Sequence, residues 1–195
     1  MERIASVTRK TGETEITVDI NLDGKGKAEI NTGIGFFDHM LNSFARHGLF
    51  DLMVEAKGDL EVDCHHLVED TGIVLGQAIL KALGDKKSIN RYGYFILPMD
   101  EALILSAVDL SGRPYLVFDV SFTSPMVGEF DTQMFKEFFY ALSYSAGMNL
   151  HLRQMSGDND HHIAEGCFKS LSKALMEAVK INERIEDVLS TKGKI

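Results

Sequence analysis

Apolar and polar residues alternate along residues 15–22, so that every second side chain belongs to one face of an extended chain. The apolar side chains on that face are Ile16, Val18, Ile20 and Leu22. This period of two predicts a half-buried β-strand, and Asp23-Gly24 directly after it predicts a hairpin turn. Residues 102–110 alternate less strictly and end at Ser111-Gly112. They predict a second strand of the same kind.

The elements that follow these two strands come in the same order. A mostly apolar helical segment begins near Phe36, and another begins near Met134. Each leads through a glycine into a short predicted strand, at residues 52–56 and 150–154. A Gly-Asp pair, a His-His doublet and a long amphipathic helix then follow in both parts of the chain. This order favours an ancestral duplication over a chance overlay of two unrelated halves.

The predicted fold class is α+β with an internal duplication, in which each half has a mixed β-sheet covered on one face by helices. We expect the first half to span residues 1–88 and the second half to span residues 89–195. Residues 121–131 have no counterpart in the first half, which predicts an inserted loop.

Composition and charge narrow the class of protein. The chain has 195 residues, 45% of them hydrophobic, and only 3 prolines, which suits a buried core and argues against disorder. A net charge of −9 argues against a general nucleic-acid-binding surface. No apolar run approaches the roughly 20 residues of a membrane span, and no secretory signal pattern is present. Cys64 and Cys167 cannot build a disulfide framework, so we expect a cytoplasmic protein.

The motif His-His-x-x-Glu occurs twice, at residues 65–69 and 161–165, in register with the repeat. One doublet alone is compatible with a surface pair at a helix N-terminus. Two copies at equivalent positions favour metal binding, because imidazole and carboxylate groups together suit Mn, Fe, Co, Ni or Zn. A thiolate zinc site has no support, since Cys64 precedes the first doublet and Cys167 follows the second.

Helix geometry predicts how these ligands are shared. Residues four positions apart lie on one helix face about 6 Å apart, so the first histidine and the glutamate of each motif can hold one ion. These pairs are His65 with Glu69 and His161 with Glu165. The second histidine of each doublet points about 100° away. If the two halves face each other, His66 can complete the ion of the second motif and His162 that of the first.

A further ligand for each ion is expected from the shorter helix of each half. His39 is well placed in the first half, and Glu137 occupies the equivalent position in the second. The remaining histidines, His47 and His151, are interpreted as local hydrogen-bonding groups.

Short motifs along nearly the whole chain resemble one enzyme family. They are Glu13-Thr14-Glu15, Leu22-Asp23-Gly24, Thr32-Gly33, Phe37-Asp38-His39-Met40-Leu41, His47-Gly48, residues 63–70, Arg91-Tyr92-Gly93, Pro98-Met99-Asp100-Glu101-Ala102, residues 109–114, residues 161–165 with Phe168-Lys169, and Ser190-Thr191-Lys192-Gly193. The chain resembles the single-function imidazoleglycerol-phosphate dehydratases of histidine biosynthesis. The resemblance implies that each half has a fold like that of ribosomal protein S5 domain 2.

The resemblance also implies the cofactors and the assembly. We expect two Mn(II) ions per active site, with another divalent transition metal as the alternative, and no organic cofactor. We expect a homo-oligomer of 24 subunits, an octahedral shell whose active sites lie at subunit interfaces, with no nucleic acid or membrane as a partner. The ligands implied are His39, His66, His161 and Glu165 for one ion, and His65, Glu69 and His162 for the other. Glu137 completes the second set, with His151 as the fallback, because many family members have histidine at the Glu137 position.

The reaction that the resemblance implies converts imidazole glycerol phosphate into imidazole acetol phosphate by loss of water. The departing proton is not next to a carbonyl, so the imidazole ring has to act as the electron sink. A metal on a ring nitrogen favours the imidazolate, which can expel the adjacent hydroxyl and leave a diazafulvene. Loss of the neighbouring proton then gives an enol, which becomes the ketone.

The site residues follow from the matching motifs. Glu13 is the first candidate for the acid/base group, because the family places its equivalent over the substrate. Glu69 and Glu165 belong to the catalytic set as metal ligands. The substrate-binding positions of the family correspond to Glu13, His39, His65, Arg91, Arg113, Lys169, Thr191 and Lys192, with Ser190 as a further hydroxyl donor. The two arginines suit a phosphate through their paired donors.

Two other functions fit the same ligands. A binuclear metallohydrolase would use the His and Glu residues to activate water and would release phosphate from a phosphorylated small molecule. A metal-storage or structural shell would use the ions only to join subunits and would show no turnover.

Overall fold

A computed structural model describes residues 2–195, which form two halves with the same element order except for two short strands inserted in the second half. The first half contains β1 (Ile4–Lys10), β2 (Thr14–Asn21), β3 (Ala28–Asn31), α1 (Gly35–Gly48), β4 (Asp51–Gly58) and α2 (His65–Leu83). The second half contains β5 (Tyr92–Met99), β6 (Ala102–Asp109), β7 (Tyr115–Asp119), β8 (Met126–Val127), β9 (Phe130–Asp131), α3 (Gln133–Ala146), β10 (Asn149–Ser156) and α4 (Asp160–Val179). The predicted duplication is confirmed. The predicted boundary after residue 88 falls between α2 and β5.

Each half builds one mixed four-stranded sheet, as predicted. The strand orders are β1-β2-β4-β3 and β5-β6-β10-β7, and only the β3–β4 and β7–β10 pairs are parallel. Val18 lies opposite Val54 in the first sheet, and Ser106 lies opposite Leu152 in the second. The strands β4 and β10 run longer than the predicted segments because their ends pair with full-length neighbours.

The hairpin predicted at Asp23-Gly24 is wrong. β2 pairs with β1 and β4, and the chain after Gly24 crosses to the far side of β4, where β3 pairs in parallel. Asp51 directs this crossing, because its carboxylate accepts the backbone N–H groups of Lys25 and Lys27. Gly24 is required there, since a Cβ would lie 2.2 Å from the Asp51 nitrogen.

The four helices of the described chain lie between the two sheets. Each sheet packs its inner face on helices of its own half, and the helices then pair across the halves as α1 with α4 and α2 with α3. Glycines allow the second pair to approach closely: a Cβ at Gly72 would lie 2.8 Å from the Phe138 oxygen, and one at Gly76 would lie 2.7 Å from the Leu142 oxygen. None of the helices within residues 2–195 is both long and apolar enough to span a bilayer.

Phenylalanine rings from both halves fill the space between the helices. Phe37 of α1 contacts Phe138 of α3 edge to face at 5.3 Å, and Phe138 stacks on Phe168 of α4 at 5.2 Å. Phe130 of β9 is fully buried and stacks on Phe37 at 5.7 Å. Such ring pairs contribute about 0.5–1.5 kcal/mol each beyond their buried area. This cluster joins the N-terminal turns of α1 and α3, the helices on which His39 and Glu137 lie.

The inserted segment at residues 121–131 is not only a loop, because it contains the short β8–β9 hairpin. Asp160 ties this segment to the first turn of α4. Its carboxylate accepts the backbone N–H groups of Thr123 and Ser124 and the Thr123 hydroxyl, at 2.7–3.0 Å. Burial opposes ionisation of Asp160, but these hydrogen bonds outweigh burial and hold its pKa below the ordinary value.

Asp160→Asn is expected to lower the free energy of unfolding by about 2 kcal/mol at pH 7, since hydrogen bonds to a carboxylate contribute about 1.5–3 kcal/mol. The pKa of Asp160 is lower in the folded state than in the unfolded chain. The difference in free energy of unfolding between wild type and variant is therefore complete above about pH 5. It declines as the pH falls below about 4, towards the lower pKa of the folded state. Urea denaturation of both proteins between pH 7 and pH 3 measures this difference. A difference that did not change with pH would contradict the role given to the Asp160 charge.

Candidate active site

A group of three predicted ligands converges where the N-terminal turns of α1 and α4 meet. Asn159 caps α4 and accepts the backbone N–H groups of His161 and His162, which places the doublet in the first turn. His161 Nε2 lies 3.2 Å from Glu165 Oε2, as expected for residues four apart on a helix. His39 Nε2, from α1, lies 3.4 Å from the same oxygen. The ligand atoms of His39, His161 and Glu165 all lie within 4.8 Å of one another.

Glu165 is held ionised although its side chain is only 8% exposed. Burial raises the pKa of this carboxyl, but the Lys169 ammonium outweighs it and holds the pKa below the ordinary value. Lys169 Nζ lies 2.6 Å from Oε1. One carboxylate oxygen therefore binds the lysine, and the other faces the two histidines.

The equivalent residues of the other helix pair form a looser set. On α2, His65 Nε2 lies 3.6 Å from Glu69 Oε2, and both side chains are more exposed than Glu165. Glu137, on α3, lines a cavity of about 590 Å³ together with His65. Within residues 2–195, the ligand atoms of these three residues do not converge within 4.8 Å as the first group does. Glu137 nevertheless occupies the position in α3 that His39 occupies in the equivalent helix, α1.

The second histidine of each doublet points to other carboxylates. His66 Nδ1 lies 3.0 Å from Asp59 Oδ2, and His162 Nδ1 lies 2.8 Å from Glu101 Oε2. Neither histidine joins the three-residue group at Glu165. The crossed sharing of ligands is therefore not formed inside one chain, because neighbouring helix residues point about 100° apart. It stays a prediction that requires a second copy of the chain.

The two remaining histidines do not join these groups, although His47 lies close enough to Lys169 and Glu165 for their charges to act on its pKa. His151 is exposed on β10, between Ala107 and Val117 of the neighbouring strands. Its neighbours along β10, Leu150 and Leu152, point inward towards the helices. His151 thus lies on the outer face of the second sheet, opposite to the helices that carry the other predicted ligands. His47 lies in the last turn of α1, where burial and nearby lysines lower its pKa.

Basic residues gather at the other end of the second half. A cavity of about 780 Å³ is lined by Arg91, Arg113, Ser190, Thr191 and Lys192, all of which were predicted as substrate-binding. Arg91 is buried and makes a paired contact with Asp109, with Nε 2.7 Å from Oδ1. Its Nη1 donates to the Leu189 carbonyl at 2.7 Å. Arg91 therefore fixes the C-terminal segment, and Arg113 and Lys192 are the more accessible cations.

The basic cavity lies far from the ligand groups within one chain. Arg91 precedes β5 and Glu101 follows it, and an eight-residue strand is about 26 Å long. The Arg91 N–H donates to Ala178 near the end of α4, about 20 Å along that helix from Glu165. Lys169 lies with Glu165 and not with the other cations. A small substrate cannot reach both places on the same chain.

Glu13 lies in the turn between β1 and β2, beside the first doublet. Its side chain is 59% exposed, and its Oε2 lies 3.8 Å from His66 Nδ1. Sequence reasoning assigned no role to Asp59 or Glu101, which bind the second histidines. The available signals were the Gly-Asp pair before the first doublet and the matching positions of Glu13 and Glu101 in the two halves.

Comparison with known proteins agrees with the duplicated fold and these motifs. The family model described as imidazoleglycerol-phosphate dehydratase matches residues 32–175. The chain belongs to this family. It is 62% identical over 195 residues to the imidazoleglycerol-phosphate dehydratase of Lachnoclostridium phytofermentans, and 59% identical over 195 residues to that of Acetivibrio thermocellus. Both matches cover all of this chain and all of the relative.

Solved structures of the family share the fold. The imidazoleglycerol-phosphate dehydratase of Staphylococcus aureus N315 superposes with a TM-score of 0.84 at 41% identity, over 92% of this chain and 99% of that one. The Pyrococcus furiosus protein, solved in complex with (S)-C348, gives 0.84 at 40% identity, over 97% and 100%. Membership in the family makes the chain a hydro-lyase and assigns it to the dehydration of imidazoleglycerol phosphate in histidine biosynthesis. The predicted family and enzyme class are confirmed.

Proposed function

We propose that the chain dehydrates imidazole glycerol phosphate to imidazole acetol phosphate with two divalent transition ions, Mn(II) first among them, at each active site. The observation that supports this proposal is the convergence of His39, His161 and Glu165 from two helices of different halves. A structural ion pair would need one histidine beside the glutamate. Two imidazole nitrogens facing one carboxylate oxygen could hold a metal ion, which supports the proposal.

The donor atoms suit a divalent ion of the first transition row. Imidazole nitrogen and carboxylate oxygen together bind Mn, Fe or Zn, and thiolate is not needed. Glu165 fits this role because Lys169 occupies only Oε1 and keeps the carboxylate charged. When bound, such ions stabilise the anionic form of an imidazole ring, as bound cations lower the pKa of other ligands. No organic cofactor is required for this chemistry.

We assign the ligands in two sets related by the duplication. One set is His39, His161 and Glu165, completed by His66 from another copy of the chain. The other is His65, Glu69 and Glu137, completed by His162 from another copy. Glu137 is preferred to His151 because it lines the same cavity as His65, whereas His151 lies on the outer face of a sheet.

Glu13 is proposed as the acid/base group. Its exposed carboxylate makes no hydrogen bond within residues 2–195, and it lies next to the first doublet. The reaction removes a hydroxyl from the carbon attached to the ring and a proton from the next carbon. Glu13 would accept that proton through a carboxylate oxygen, and the resulting enol becomes the ketone.

The phosphate of the substrate is proposed to bind at the basic cavity. Arg113 and Lys192 supply charge there, Thr191 supplies a hydroxyl, and Arg91 holds the segment in place. Because this cavity lies about 20 Å or more from the ligand groups of the same chain, one site needs residues from several copies. This requirement supports a homo-oligomer, for which we propose the 24-subunit shell of the family resemblance. The two unpaired cysteines support a cytoplasmic location.

Incubation of the purified protein with Mn(II) and imidazole glycerol phosphate tests the proposed function. The expected product is the ketone, identified by mass spectrometry as the substrate minus one water, with no inorganic phosphate released. Release of phosphate at a matching rate would favour the metallohydrolase instead. Metal-dependent assembly without any turnover would favour the structural shell.

A further inference from the structure

The two halves hold the second histidines of their doublets by different carboxylates. In the second half Glu101, in the β5–β6 turn, lies 2.8 Å from His162 Nδ1. In the first half the residue at the matching turn is Glu13, but it lies 3.8 Å from His66 Nδ1. Asp59, directly after β4, takes the contact instead at 3.0 Å. The matching residue after β10 is Asp158, which makes no side-chain hydrogen bond within residues 2–195.

Each contact favours a proton on the Nδ1 nitrogen of the histidine ring. An ionised carboxylate only accepts hydrogen bonds, so the ring donates from Nδ1 and leaves the Nε2 lone pair available. Asp100 also faces His162, but its Oδ2 lies 3.8 Å from Nε2, beyond hydrogen-bond distance. Metal-bound histidines in proteins are oriented in this way by an acceptor on the other nitrogen, which is a carboxylate, a backbone carbonyl or a water. Glu101 is itself fixed, because its Oε1 accepts the Asn159 N–H at 3.0 Å and the Ser156 hydroxyl donates to its carbonyl.

We propose that Asp59 and Glu101 are positioning residues, which hold Nδ1–H of His66 and His162 and present each Nε2 to a divalent ion. This inference rests on the proposed function. It adds a reason for the difference between the halves. Because Asp59 orients His66, the carboxylate of Glu13 is not engaged and remains available for the substrate. Glu101 is the counterpart of Glu13, but its carboxylate binds His162 and is not available for the substrate.

Asp59→Asn and Glu101→Gln test the proposal with nearly unchanged side-chain shape. An amide can donate where a carboxylate only accepts, so the ring can move its proton to Nε2. Magic-angle-spinning NMR of chelator-treated protein with ¹⁵N-labelled histidine shows which ring nitrogen carries the proton in the absence of metal. Spectra of His66→Ala and His162→Ala identify the signals of the two rings. We expect a shift towards Nε2–H in each variant. We also expect Mn(II) affinity, titrated by electron paramagnetic resonance, to fall about 10–100-fold.

Two control variants distinguish a positioning role of Asp59 and Glu101 from a general disturbance of the structure. Asp158→Asn changes the same residue type at the position equivalent to Asp59, and it is expected to leave both the tautomers and the Mn(II) affinity within about 2-fold of wild type. Glu101→Asp keeps a carboxylate near the Asn159 N–H. Comparison of this variant with Glu101→Gln shows whether the change in the His162 tautomer comes from loss of the carboxylate or from damage to the local structure.

The outcomes distinguish this inference from the proposed function. Wild-type tautomers and wild-type Mn(II) affinity in both variants would overturn the inference alone, and so would an equal loss of affinity in Asp158→Asn. A wild-type protein that bound no Mn(II) and formed no ketone would overturn the proposed function and the metal part of the inference together. A tautomer shift with weaker Mn(II) binding in the two variants supports both.

Discussion

His161→Ala is expected to remove one of the two ions of each active site and to lower kcat/KM by about 10³-fold or more. His161 shares Glu165 Oε2 with His39, so its loss leaves one imidazole and one carboxylate oxygen on this chain. A bound ion contributes several kcal/mol of transition-state stabilisation, and about 4 kcal/mol corresponds to a factor of about 10³. Elemental analysis of the purified variant, together with steady-state kinetics, measures both effects.

His151→Ala is the matched control, because it removes another histidine of the second half. His151 is exposed on the outer face of its sheet and is expected to be dispensable for metal binding. The variant should retain two ions per site. Glu137→Ala should lose one of them. The reverse pattern, with an ion lost from His151→Ala and none from Glu137→Ala, would show that His151 is the ligand.

Glu13→Gln is expected to keep both ions and to lower kcat by about 10²–10⁴-fold, the usual contribution of a general acid/base group. Glutamine has the same shape as glutamate but cannot accept the proton of the substrate. Metal content and substrate binding should stay close to wild type, because the Glu13 carboxylate lies 3.8 Å from His66 and is largely exposed. Stopped-time assays of ketone formation measure the loss of rate.

A Glu13→Gln protein with the wild-type rate would remove Glu13 from the mechanism. A loss of bound Mn(II) in the same protein would instead make Glu13 a support for His66. Metal analysis distinguishes these two results. Glu15→Gln, two residues further along the chain in β2, provides a control on the exposed face of the sheet, where Glu15 pairs with Lys10.

Local patterns in the sequence predicted the parts of the site that depend on one helix. The spacing of His161 and Glu165 requires only a helical turn, and the structure brings their ligand atoms to 3.2 Å. His39 was predicted from the repeat and from the family resemblance, and it joins that pair from another helix. Periodicity alone says nothing about which helices meet, so this contact could not have been derived from spacing.

The features that the sequence did not reveal depend on how distant segments cross. Asp23-Gly24 has the composition of a hairpin turn, but the anchor that redirects it is Asp51, 27 residues beyond Gly24. Asp59 and Glu101 lie in turns and have no periodicity that would identify them as partners of histidines. Arg91 lies far from the ligand groups because β5 and α4 are long. The sequence could not reveal this distance, because it depends on the contact between Arg91 and Ala178 near the end of α4.

The pairing of helices across the halves bears on the origin of the chain. Because α1 packs on α4 and α2 on α3, the group at Glu165 draws its candidate ligands from both halves. A free-standing half would expose the apolar sides of both its helices to water and would have to associate with a second half to bury them. The present chain is thus equivalent to a fused dimer. Fusion freed the two copies of each position to take different tasks, as we propose for Glu13 and Glu101.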